Sequence, residues 1–409
     1  MKVASVQFSA VTGPLIYLLG SYPPSLVHFR GNLIQDLIAL GYRVTVGAPD
    51  LTEEWRQKLT AMGATVNETP MRRTGVGVLG DLRYYRRLKS LFIRDKPELV
   101  LTYTIKPNIW GALAANRTGV RSIAMVTGLG YAFTDGATKT SLRQWVIRTI
   151  VRRLYRVATN YNDRVIFQNS DDADDFFALG CIVDRDKARV VSGSGVDLVH
   201  YGRVPLPRTS TVLMVARLLR NKGVREYAEA AISTKRSFPA ARFQLVGPFD
   251  PGPDSISRAE LDGWIAAGLE YLGPVEDVRP YIAAARIYVL PSYREGTPRS
   301  VLEAMAMGRP VITTDTPGCR DTVVDGVSGL LVQKGDSDAL AAALLRLLEN
   351  PAEAESLGAA GFQLASRKYD VRLVNRDIIR EIELLMSGLA KPCPVGSGSV
   401  THSPSGDML

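Results

Sequence analysis

Two carboxylates stand in apolar surroundings between residues 293 and 312, where the chain reads YREGTPRSVLEAMAMGRPVI. Glu295 precedes a Thr-Pro pair, and Glu303 lies in the run RSVLEAMAMG, which leaves almost no polar face if it is helical. Glu303 should therefore be largely buried, and an unpaired buried carboxylate is costly. Its partner is expected to be either an arginine, such as Arg320, or a pair of hydroxyls, such as those of a ribose.

A second set of residues is suited to binding an anion. In VARLLRNKG, Arg217 follows an expected strand and Lys222 lies where the next helix starts. Strand ends and helix N termini meet at the ligand-binding edge of an open α/β sheet, so a guanidinium and an ammonium can converge there on one phosphate. The alternative interpretation is a solvated turn without a ligand.

Candidates for acid–base or metal chemistry are few. The chain has three histidines, and of these His28 could act as a base in a cleft or could only orient the start of a helix. The acidic run DDADD, residues 171–175, follows QNS and precedes FFALG. It is explained more simply as an acidic first turn, which the helix dipole favours, than as a metal site. We therefore expect no bound metal.

These residues need strands and helices that bring them together. Apolar runs from LIYLLG to ARVVSG alternate with stretches of helical spacing, and a second alternation extends from TVLMVARL to SGLLVQ. Apolar strands that alternate with helices predict parallel sheets covered on both faces. We therefore predict an α/β protein with two Rossmann-like domains, each with a parallel sheet.

Domain boundaries follow from the segments between these patterns. YGRVPLPRTS contains two prolines and no apolar period, and we interpret it as a linker. The first domain is thus predicted at 1–203 and the second at 204–368. A helix at 369–388 is expected to pack back on the first domain, and the Gly-, Ser- and Pro-rich tail at 389–409 is expected to be disordered.

Composition excludes several classes of protein. Hydrophobic residues make up 46% of the chain and charged residues 22%, which is ordinary for a globular protein. The three cysteines lack a CxxC spacing, so neither a disulfide framework nor a zinc site is indicated, and a reducing cytosol fits. No stretch reaches the roughly 18 apolar residues that span a bilayer.

The sequence around the two glutamates resembles a known family. The E-x7-E spacing in PSYREGTPRSVLEAMAMGRPVITTDTPGCRDTVVDGVSGLLV, preceded by ARLLRNKG, is similar to that of the retaining glycosyltransferases of family 4. This resemblance implies the GT-B fold, in which two Rossmann-like domains face each other across a cleft. In the first half, HFRGNLIQDLIALGYRVTVGAPD, TYTIKPNIWGALAA, VTGLGYAFTD and SGSGVDL resemble the bacterial subgroup that extends undecaprenyl-diphosphate-linked oligosaccharides. The resemblance covers nearly the whole chain.

The resemblance implies a role for each matching position. Arg217 and Lys222 would bind the diphosphate of the donor. Glu295 would contact the transferred sugar, and Glu303 would bind the ribose hydroxyls. The other implied donor-binding residues are Thr297, Arg299, Ser300, Gly273 and Val275. The implied cleft and acceptor residues are His28, Arg30, Thr127 and Gly128.

The chain departs from the family pattern at two positions. Thr297 is a suitable N-cap, and Pro298 suits the first position of the helix RSVLEAMAMG, but many relatives have glycine at the latter position. The proline removes an N–H group that could have bound the donor. Some relatives also have a histidine in the loop VTGLG, at about the position of Thr127.

The activity that the resemblance implies is a retaining sugar transfer. The donor would be a nucleotide diphosphate sugar, with a UDP-sugar favoured, and the acceptor a polyprenyl-diphosphate-linked glycan of O-antigen, capsule or exopolysaccharide synthesis. No metal or cofactor would be needed, because cations and a helix N terminus can neutralise the leaving diphosphate. A sugar-nucleotide epimerase of GT-B architecture is the alternative, although it needs more acid–base residues in the cleft than the sequence offers.

Two basic segments in the first half suggest a membrane surface as a partner. They lie at 71–96 and 139–158, and both combine arginines with apolar residues. The arginines proposed for this surface are Arg83, Arg86, Arg87, Arg148, Arg152 and Arg153. Basic amphipathic helices bind anionic lipid, at about 1 kcal/mol for each basic residue. The alternative is a solvated outer face over an ordinary core.

Nucleic acid is a less suitable partner. The net charge is +9, but the sequence shows no helix-turn-helix, RRM or zinc motif that would accompany a nucleic-acid-binding surface. Because the basic segments suit a membrane surface and no stretch is long enough to span a bilayer, we expect a cytoplasmic protein that lies peripherally on the cytoplasmic face of the inner membrane.

Overall fold

The computed structural model describes residues 13–72, 77–129, 142–250, 252 and 254–388. The tail at 389–409, expected to be disordered, lies outside these residues, as does the start of the second basic segment. Within them, strands and helices alternate along the chain. The alternation follows the predicted order of apolar runs and helical stretches.

The amino-terminal half forms a sheet of seven parallel strands among the described residues. The strands are β1 (Leu15–Leu19), β2 (Arg43–Ala48), β3 (Thr65–Glu68), β4 (Leu99–Tyr103), β5 (Arg121–Val126), β6 (Arg164–Phe167) and β7 (Ala188–Val190). Their order across the sheet is β3-β2-β1-β4-β5-β6-β7. The helices are α1 (Pro23–His28), α2 (Gly31–Ala39), α3 (Glu53–Ala61), α4 (Val78–Asp95), α5 (Ala112–Thr118), α6 (Leu142–Tyr161) and α7 (Ser170–Ala178).

The carboxyl-terminal half forms a second parallel sheet, in which the structure describes six strands. The strands are β8 (Thr211–Val215), β9 (Arg242–Val246), β10 (Leu269–Gly273), β11 (Ile287–Leu290), β12 (Val311–Thr314) and β13 (Leu330–Val332), in the order β10-β9-β8-β11-β12-β13. The helices are α8 (Val224–Ser237), α9 (Arg258–Ala266), α10 (Arg279–Ala284), α11 (Arg299–Ala306), α12 (Ser337–Glu349), α13 (Pro351–Leu364) and α14 (Val371–Met386). Two parallel sheets covered by helices confirm the predicted fold class.

Both sheets are buried on both faces, which explains the near-continuous apolar runs. Strands β1, β4, β6, β11 and β12 are buried along their whole length. Side chains with chemical roles must therefore lie in the loops that follow the strands, at the carboxyl edge of each sheet.

Helix α13 was not predicted, because its sequence PAEAESLGAAGFQL lacks a clear apolar stripe. Small residues replace that stripe where the helix packs closely. A methyl group added at Gly358 would lie only 2.4 Å from the carbonyl oxygen of Gly308. Close approach of two backbones requires glycine and thereby removes the pattern that predicts an amphipathic helix.

The last helix returns to the first domain. Val374, Ile378 and Ile382 of α14 are buried in the same core as residues of β1 and α2. The amide nitrogen Nδ2 of Asn375 also donates a 2.7 Å hydrogen bond to Asp36 of α2. The chain therefore crosses between the two sheets twice, once in the linker and once before α14.

Arg309 holds the linker against the second domain. Its side chain is fully buried, and its guanidinium donates to the carbonyl oxygens of Ala283 and Ala285 and to those of Val204 and Pro205 in the linker. Burial lowers the pKa of Arg309 to about 10. The charge is thus compensated by carbonyl dipoles.

Replacing Arg309 with methionine should lower the free energy of unfolding by about 2–3 kcal/mol, because several buried carbonyl groups lose their donor at once. Urea unfolding followed by circular dichroism measures the change. Arg286 is the matched control, since its guanidinium donates one hydrogen bond to a linker carbonyl, that of Pro207. If Arg286→Met and Arg309→Met lower the free energy of unfolding by the same small amount, Arg309 does not stabilise the linker.

Candidate active site

The candidate site lies where the order of the second sheet reverses. Strand β8 comes first in this domain, with β9 on one side and β11 on the other. Ligands of open α/β sheets bind at such a switch point, beyond the carboxyl ends of the strands. The loop after β8 contains Arg217 and Lys222, and the loop after β11 contains Glu295, so neighbouring strands bring them to one edge.

Lys222 and Glu295 form an ion pair at this edge. Their Nζ and Oε1 atoms are 2.5 Å apart, and both side chains are largely buried. The hydroxyl of Ser292 donates to the same carboxylate oxygen at 2.8 Å. The turn that presents Lys222 approaches β11 closely, since a methyl group added at Gly223 would lie 2.0 Å from the carbonyl oxygen of Pro291. Glycine with φ +73° is therefore required there.

Arg217 does not share a partner with Lys222 in this structure. Its Nη1 atom lies 2.7 Å from the carboxylate of Asp250, and its side chain is 57% exposed. Asp250 follows β9, which is the other neighbour of β8. Sequence reasoning did not identify Asp250, because nothing in the local pattern around FDPGPD marks it as the partner of a residue 33 positions away.

Glu303 is buried, as its apolar helix predicts, but its arginine partner is Arg299 and not Arg320. The Nε atom of Arg299 lies 3.0 Å from Oε1 of Glu303, one helical turn away. Arg320 pairs instead with Asp315 and Asp171. Burial raises the pKa of Glu303, while Arg299 and the hydroxyl of Tyr201 lower it. Tyr201, which sequence reasoning assigned only to the linker, therefore contributes to this site.

Helix α11 begins at Arg299, one residue later than predicted. Pro298 takes the N-cap position and provides no side-chain cap. The hydroxyl of Thr297, which was expected to cap the helix, instead donates to the carbonyl oxygen of Gln168 in the first domain at 3.1 Å. Ser300, in the first turn of α11, hydrogen bonds to the buried Tyr288.

Arg299 also contacts the first domain. Its Nη1 atom donates to the carbonyl oxygen of His28, and its guanidinium carbon lies 4.9 Å from the centre of the Phe29 ring. His28 ends α1, so the alternative that it orients a helix start is wrong. Burial lowers the pKa of His28, and Arg299 and Lys58 lower it further. Its imidazole is therefore neutral at neutral pH.

Arg30 is a buried cation at the matching edge of the first sheet. It is 2% exposed, and its guanidinium lies 5.4 Å from the centre of the Tyr103 ring, at the end of β4. Burial lowers the pKa of Arg30 to about 10, and the charge of Arg299 acts in the same direction. Within the described parts of the chain, its Nε has no hydrogen-bond partner and no carboxylate pairs with it.

Thr127 and Gly128 lie directly opposite the loop of Glu295. A methyl group added at Gly296 would lie 2.5 Å from the carbonyl oxygen of Thr127, and one added at Gly128 would lie 3.2 Å from the nitrogen of Gly296. The structure thus brings the predicted acceptor loop and the predicted donor loop into contact. Gly273 lies at the carboxyl end of β10, at the outer edge of the second sheet, and Val275 packs against that domain's core.

The acidic run DDADD has a role that sequence reasoning missed. Its residues lie at the start of α7, as predicted, but their carboxylates bind arginines of the second domain. Asp172 and Asp175 pair with Arg294 at 2.5 and 2.6 Å, and Asp171 pairs with Arg320 at 3.2 Å. No group of acidic, histidine or cysteine residues in the described ranges has the arrangement of a metal site.

Family models match both halves of the chain. Residues 27–194 match a model described as "Glycosyl transferase 4-like domain", and residues 209–350 match one described as "Glycosyl transferases group 1". Together they span most of the chain. The chain belongs to the glycosyltransferases. It is accordingly a transferase of class EC 2.4, which favours transfer over the epimerase alternative.

Curated relatives of this glycosyltransferase act in bacterial glycan synthesis. It is 28% identical over 341 residues to the Campylobacter jejuni N,N'-diacetylbacillosaminyl-diphospho-undecaprenol alpha-1,3-N-acetylgalactosaminyltransferase, covering 80% of this chain and 87% of the relative. It is 27% identical over 289 residues to the Escherichia coli UDP-Gal:alpha-D-GlcNAc-diphosphoundecaprenol alpha-1,3-galactosyltransferase, covering 67% and 72%.

Solved structures confirm the GT-B fold of the glycosyltransferase. Anabaena HepE in complex with UDP superposes with a TM-score of 0.72 at 20% identity, covering 90% of this chain and 99% of that one. Sucrose-phosphate synthase from Thermosynechococcus elongatus superposes with a TM-score of 0.76 at 20% identity, covering 92% and 100%.

The basic residues predicted for a membrane surface do not all reach the surface of the glycosyltransferase. Arg83, Arg86 and Arg87 of α4 and Arg153 of α6 are exposed. Arg148 is only 8% exposed, so the prediction is wrong for this residue, and Arg152 is half-buried. Arg148, Arg152 and the buried Tyr155 follow each other at helical spacing, and this side of α6 packs against the protein. None of the described helices is long and apolar enough to cross a membrane.

Proposed function

We propose that this glycosyltransferase moves a sugar, with retention of its anomeric configuration, from a UDP-sugar to a polyprenyl-diphosphate-linked glycan in the synthesis of a bacterial surface polysaccharide. The observation that supports it most is the Lys222–Glu295 pair at the switch point of the second sheet, which is followed along the chain by the buried Glu303 in α11. The lipid-diphosphate acceptors in the names of both relatives support the acceptor class. The UDP in the HepE complex supports the nucleotide.

On the donor side, Lys222 is the group that would stabilise the leaving diphosphate of the proposed reaction. Its ammonium would contact the diphosphate and neutralise the negative charge that develops as the bond to the sugar breaks. Glu295 would orient Lys222 and accept hydrogen bonds from the sugar hydroxyls, and Arg217 would add a second positive charge from the rim. Glu303 would accept hydrogen bonds from the ribose hydroxyls. These cations make a metal ion unnecessary, so transfer should continue in EDTA.

On the acceptor side, Arg30 is the group best suited to a diphosphate. A buried guanidinium without a carboxylate partner is costly, and an anion within hydrogen-bond reach would offset that cost. The charge of Arg299 lowers the pKa of Arg30, and the carboxylate that pairs with Arg299 among the described residues is Glu303. The cleft between the two domains therefore has a surplus of positive charge on its acceptor side.

The proposal is tested by supplying donor and acceptor separately. A thermal-shift screen against UDP, GDP, ADP and dTDP identifies the base, and we expect UDP to raise the melting temperature most. The protein is then incubated with radiolabelled UDP-sugars, with and without a GlcNAc-diphospho-undecaprenol acceptor. Label in the lipid phase that requires the acceptor supports the proposal. An epimerised nucleotide sugar, formed without an acceptor, contradicts it.

The proposed acceptor requires a membrane-facing surface, and exposed apolar residues accompany the arginines of α4 and α6. Leu79 is 80% exposed and lies one turn before the exposed Arg83 of α4, and Trp145 is 59% exposed and lies about two turns before the exposed Arg153 of α6. We propose that this surface lies on the inner face of the inner membrane, with the apolar side chains in the lipid headgroup region.

Replacing both Leu79 and Trp145 with aspartate should reduce flotation with anionic liposomes by about tenfold, because apolar contact and charge attraction are both weakened. Flotation with and without phosphatidylglycerol measures this. Ile93, which is also exposed but lies at the other end of α4, is the control, and Ile93→Asp should float as the wild type does. If the fraction of protein that floats is the same with and without phosphatidylglycerol, docking on an anionic membrane surface is contradicted.

A further inference from the structure

The loop that contains Glu295 is attached to the first domain by an ion pair. Arg294 extends away from the second domain, and its guanidinium contacts Oδ1 of Asp172 through Nε at 3.1 Å and through Nη2 at 2.5 Å. The same Nη2 lies 2.6 Å from the carboxylate of Asp175. Asp172 and Asp175 belong to the first turns of α7, which follows β6 in the first domain.

The pair is enclosed between the two domains. The side chain of Asp172 is 0% exposed and that of Arg294 is 16% exposed. Among the described residues, Oδ2 of Asp172 has no hydrogen-bond partner, so Arg294 is the main counter-charge of this carboxylate. Burial raises the pKa of Asp172 to about 6, and Arg294 opposes the shift. The carboxylate therefore depends on the arginine whenever the domains are closed.

Neighbouring contacts bind the same loop to the same edge of the first domain. The amide Nδ2 of Asn169, the N-cap of α7, donates to the carbonyl oxygen of Gly296 at 2.6 Å. Within its own domain, the next residue, Glu295, is bound to Lys222, and its backbone nitrogen donates to Pro317 at 3.1 Å. Residues 294 to 296 are therefore held between the donor domain and the acceptor domain.

We propose that Arg294 is a positioning residue for transfer: its pair with Asp172 and Asp175 closes the two domains and places Glu295 against the acceptor side of the cleft. This inference rests on the role proposed above for Glu295. A buried ion pair adds little net stability, because solvation is lost when the pair forms, but it specifies one geometry. Opening the cleft breaks the pair and hydrates both charges, so the pair can be remade in every catalytic cycle.

The position of Arg294 predicts a separation of kinetic effects. UDP would bind within the second domain, whose Lys222 and Glu303 do not contact Arg294, whereas transfer needs both domains. Arg294→Met should therefore lower kcat at least about tenfold and change the dissociation constant of UDP less than about twofold. Arg294→Lys keeps the charge but loses the fork of donors, so it should restore part of kcat.

A distance measurement tests closure without any knowledge of the donor sugar. Spin labels are placed at Val183→Cys in the first domain and Ser237→Cys in α8, both exposed, in a Cys393→Ser background. The wild type with UDP should give one short interdomain distance, and Arg294→Met should give a longer and broader distribution. Arg242→Met, which removes the exposed pair with Glu270 inside the second domain, is the control and should match the wild type.

The double variant Arg294→Met/Asp172→Asn tests the pairing itself. Because it removes Arg294 together with its buried partner charge and leaves only the exposed Asp175, its kcat should be no lower than that of Arg294→Met alone. Additive losses, or a wild-type distance distribution in Arg294→Met, would overturn the proposal. So would a parallel loss of UDP binding. If no tested donor is transferred but UDP still closes the wild type and not Arg294→Met, the proposed sugar chemistry fails and the positioning role stands.

Discussion

Replacing Lys222 with alanine should lower kcat by about 10²–10³-fold, the usual cost of removing one group that stabilises charge in a transition state. The Lys222 ammonium is the positive charge at the end of β8 that is held in place by a buried partner, Glu295. Without it, the leaving diphosphate would meet an unpaired carboxylate instead of a cation. Initial rates at saturating donor and acceptor measure the change.

The double variant Lys222→Ala/Glu295→Gln separates the two effects. If repulsion by the unpaired Glu295 contributes, neutralising it should recover part of the rate lost in Lys222→Ala. Lys235→Ala is the control, since this lysine donates to a backbone carbonyl in the same domain, that of Gly268, and its kcat should stay near the wild-type value. Near-normal turnover of a folded Lys222→Ala protein would refute the proposed donor site.

Replacing Glu303 with alanine should weaken UDP binding by about 10–100-fold, because hydrogen bonds to a charged group contribute about 1.5–3 kcal/mol. Glu303 is buried beside Arg299 and Tyr201, and ribose hydroxyls are the ligands that its position suits. Titration calorimetry with UDP and with 2′-deoxy-UDP measures the contribution of the hydroxyl. The wild type should prefer UDP, and Glu303→Ala should lose that preference.

A matched control uses another arginine-paired carboxylate of the same domain. Glu270 of β10 pairs with Arg242 of the neighbouring strand β9 at 2.7 Å. Glu270→Ala should therefore bind both nucleotides as the wild type does. If Glu303→Ala still prefers UDP to 2′-deoxy-UDP, then Glu303 does not bind the ribose. Its role would then be the structural one that sequence reasoning left open, with Arg299 as the partner.

Much of this protein could be predicted from local patterns. Apolar runs predict the buried parallel strands because a sheet covered on both faces leaves few polar positions. The spacing of Glu295 and Glu303 predicts their places before and inside α11, and Lys222 follows β8 as its pattern indicates. These predictions succeed because each depends on residues that are neighbours along the chain.

Predictions that needed distant partners failed or were missing. The distant partner Arg320 expected for Glu303 is wrong, although the actual partner, Arg299, lies one helical turn away and its i,i+4 spacing was available in the sequence. Arg148 turns inward although its helix is strongly basic. The DDADD run was correctly placed in a first helical turn, yet its pairing with Arg294 joins residues 122 positions apart. Composition and spacing contain no information about which arginine faces which carboxylate across a cleft.

The amino-acid pattern is sufficient to predict two Rossmann-like domains and the strand ends at which chemistry occurs, because burial and periodicity are local properties. The packing of the two domains decides the rest. It brings Arg294 to α7, places the buried Arg30 close enough to Arg299 for their charges to interact, and seats α14 on the first domain. These arrangements depend on how two separately folded surfaces meet, and that is a property of the tertiary structure alone.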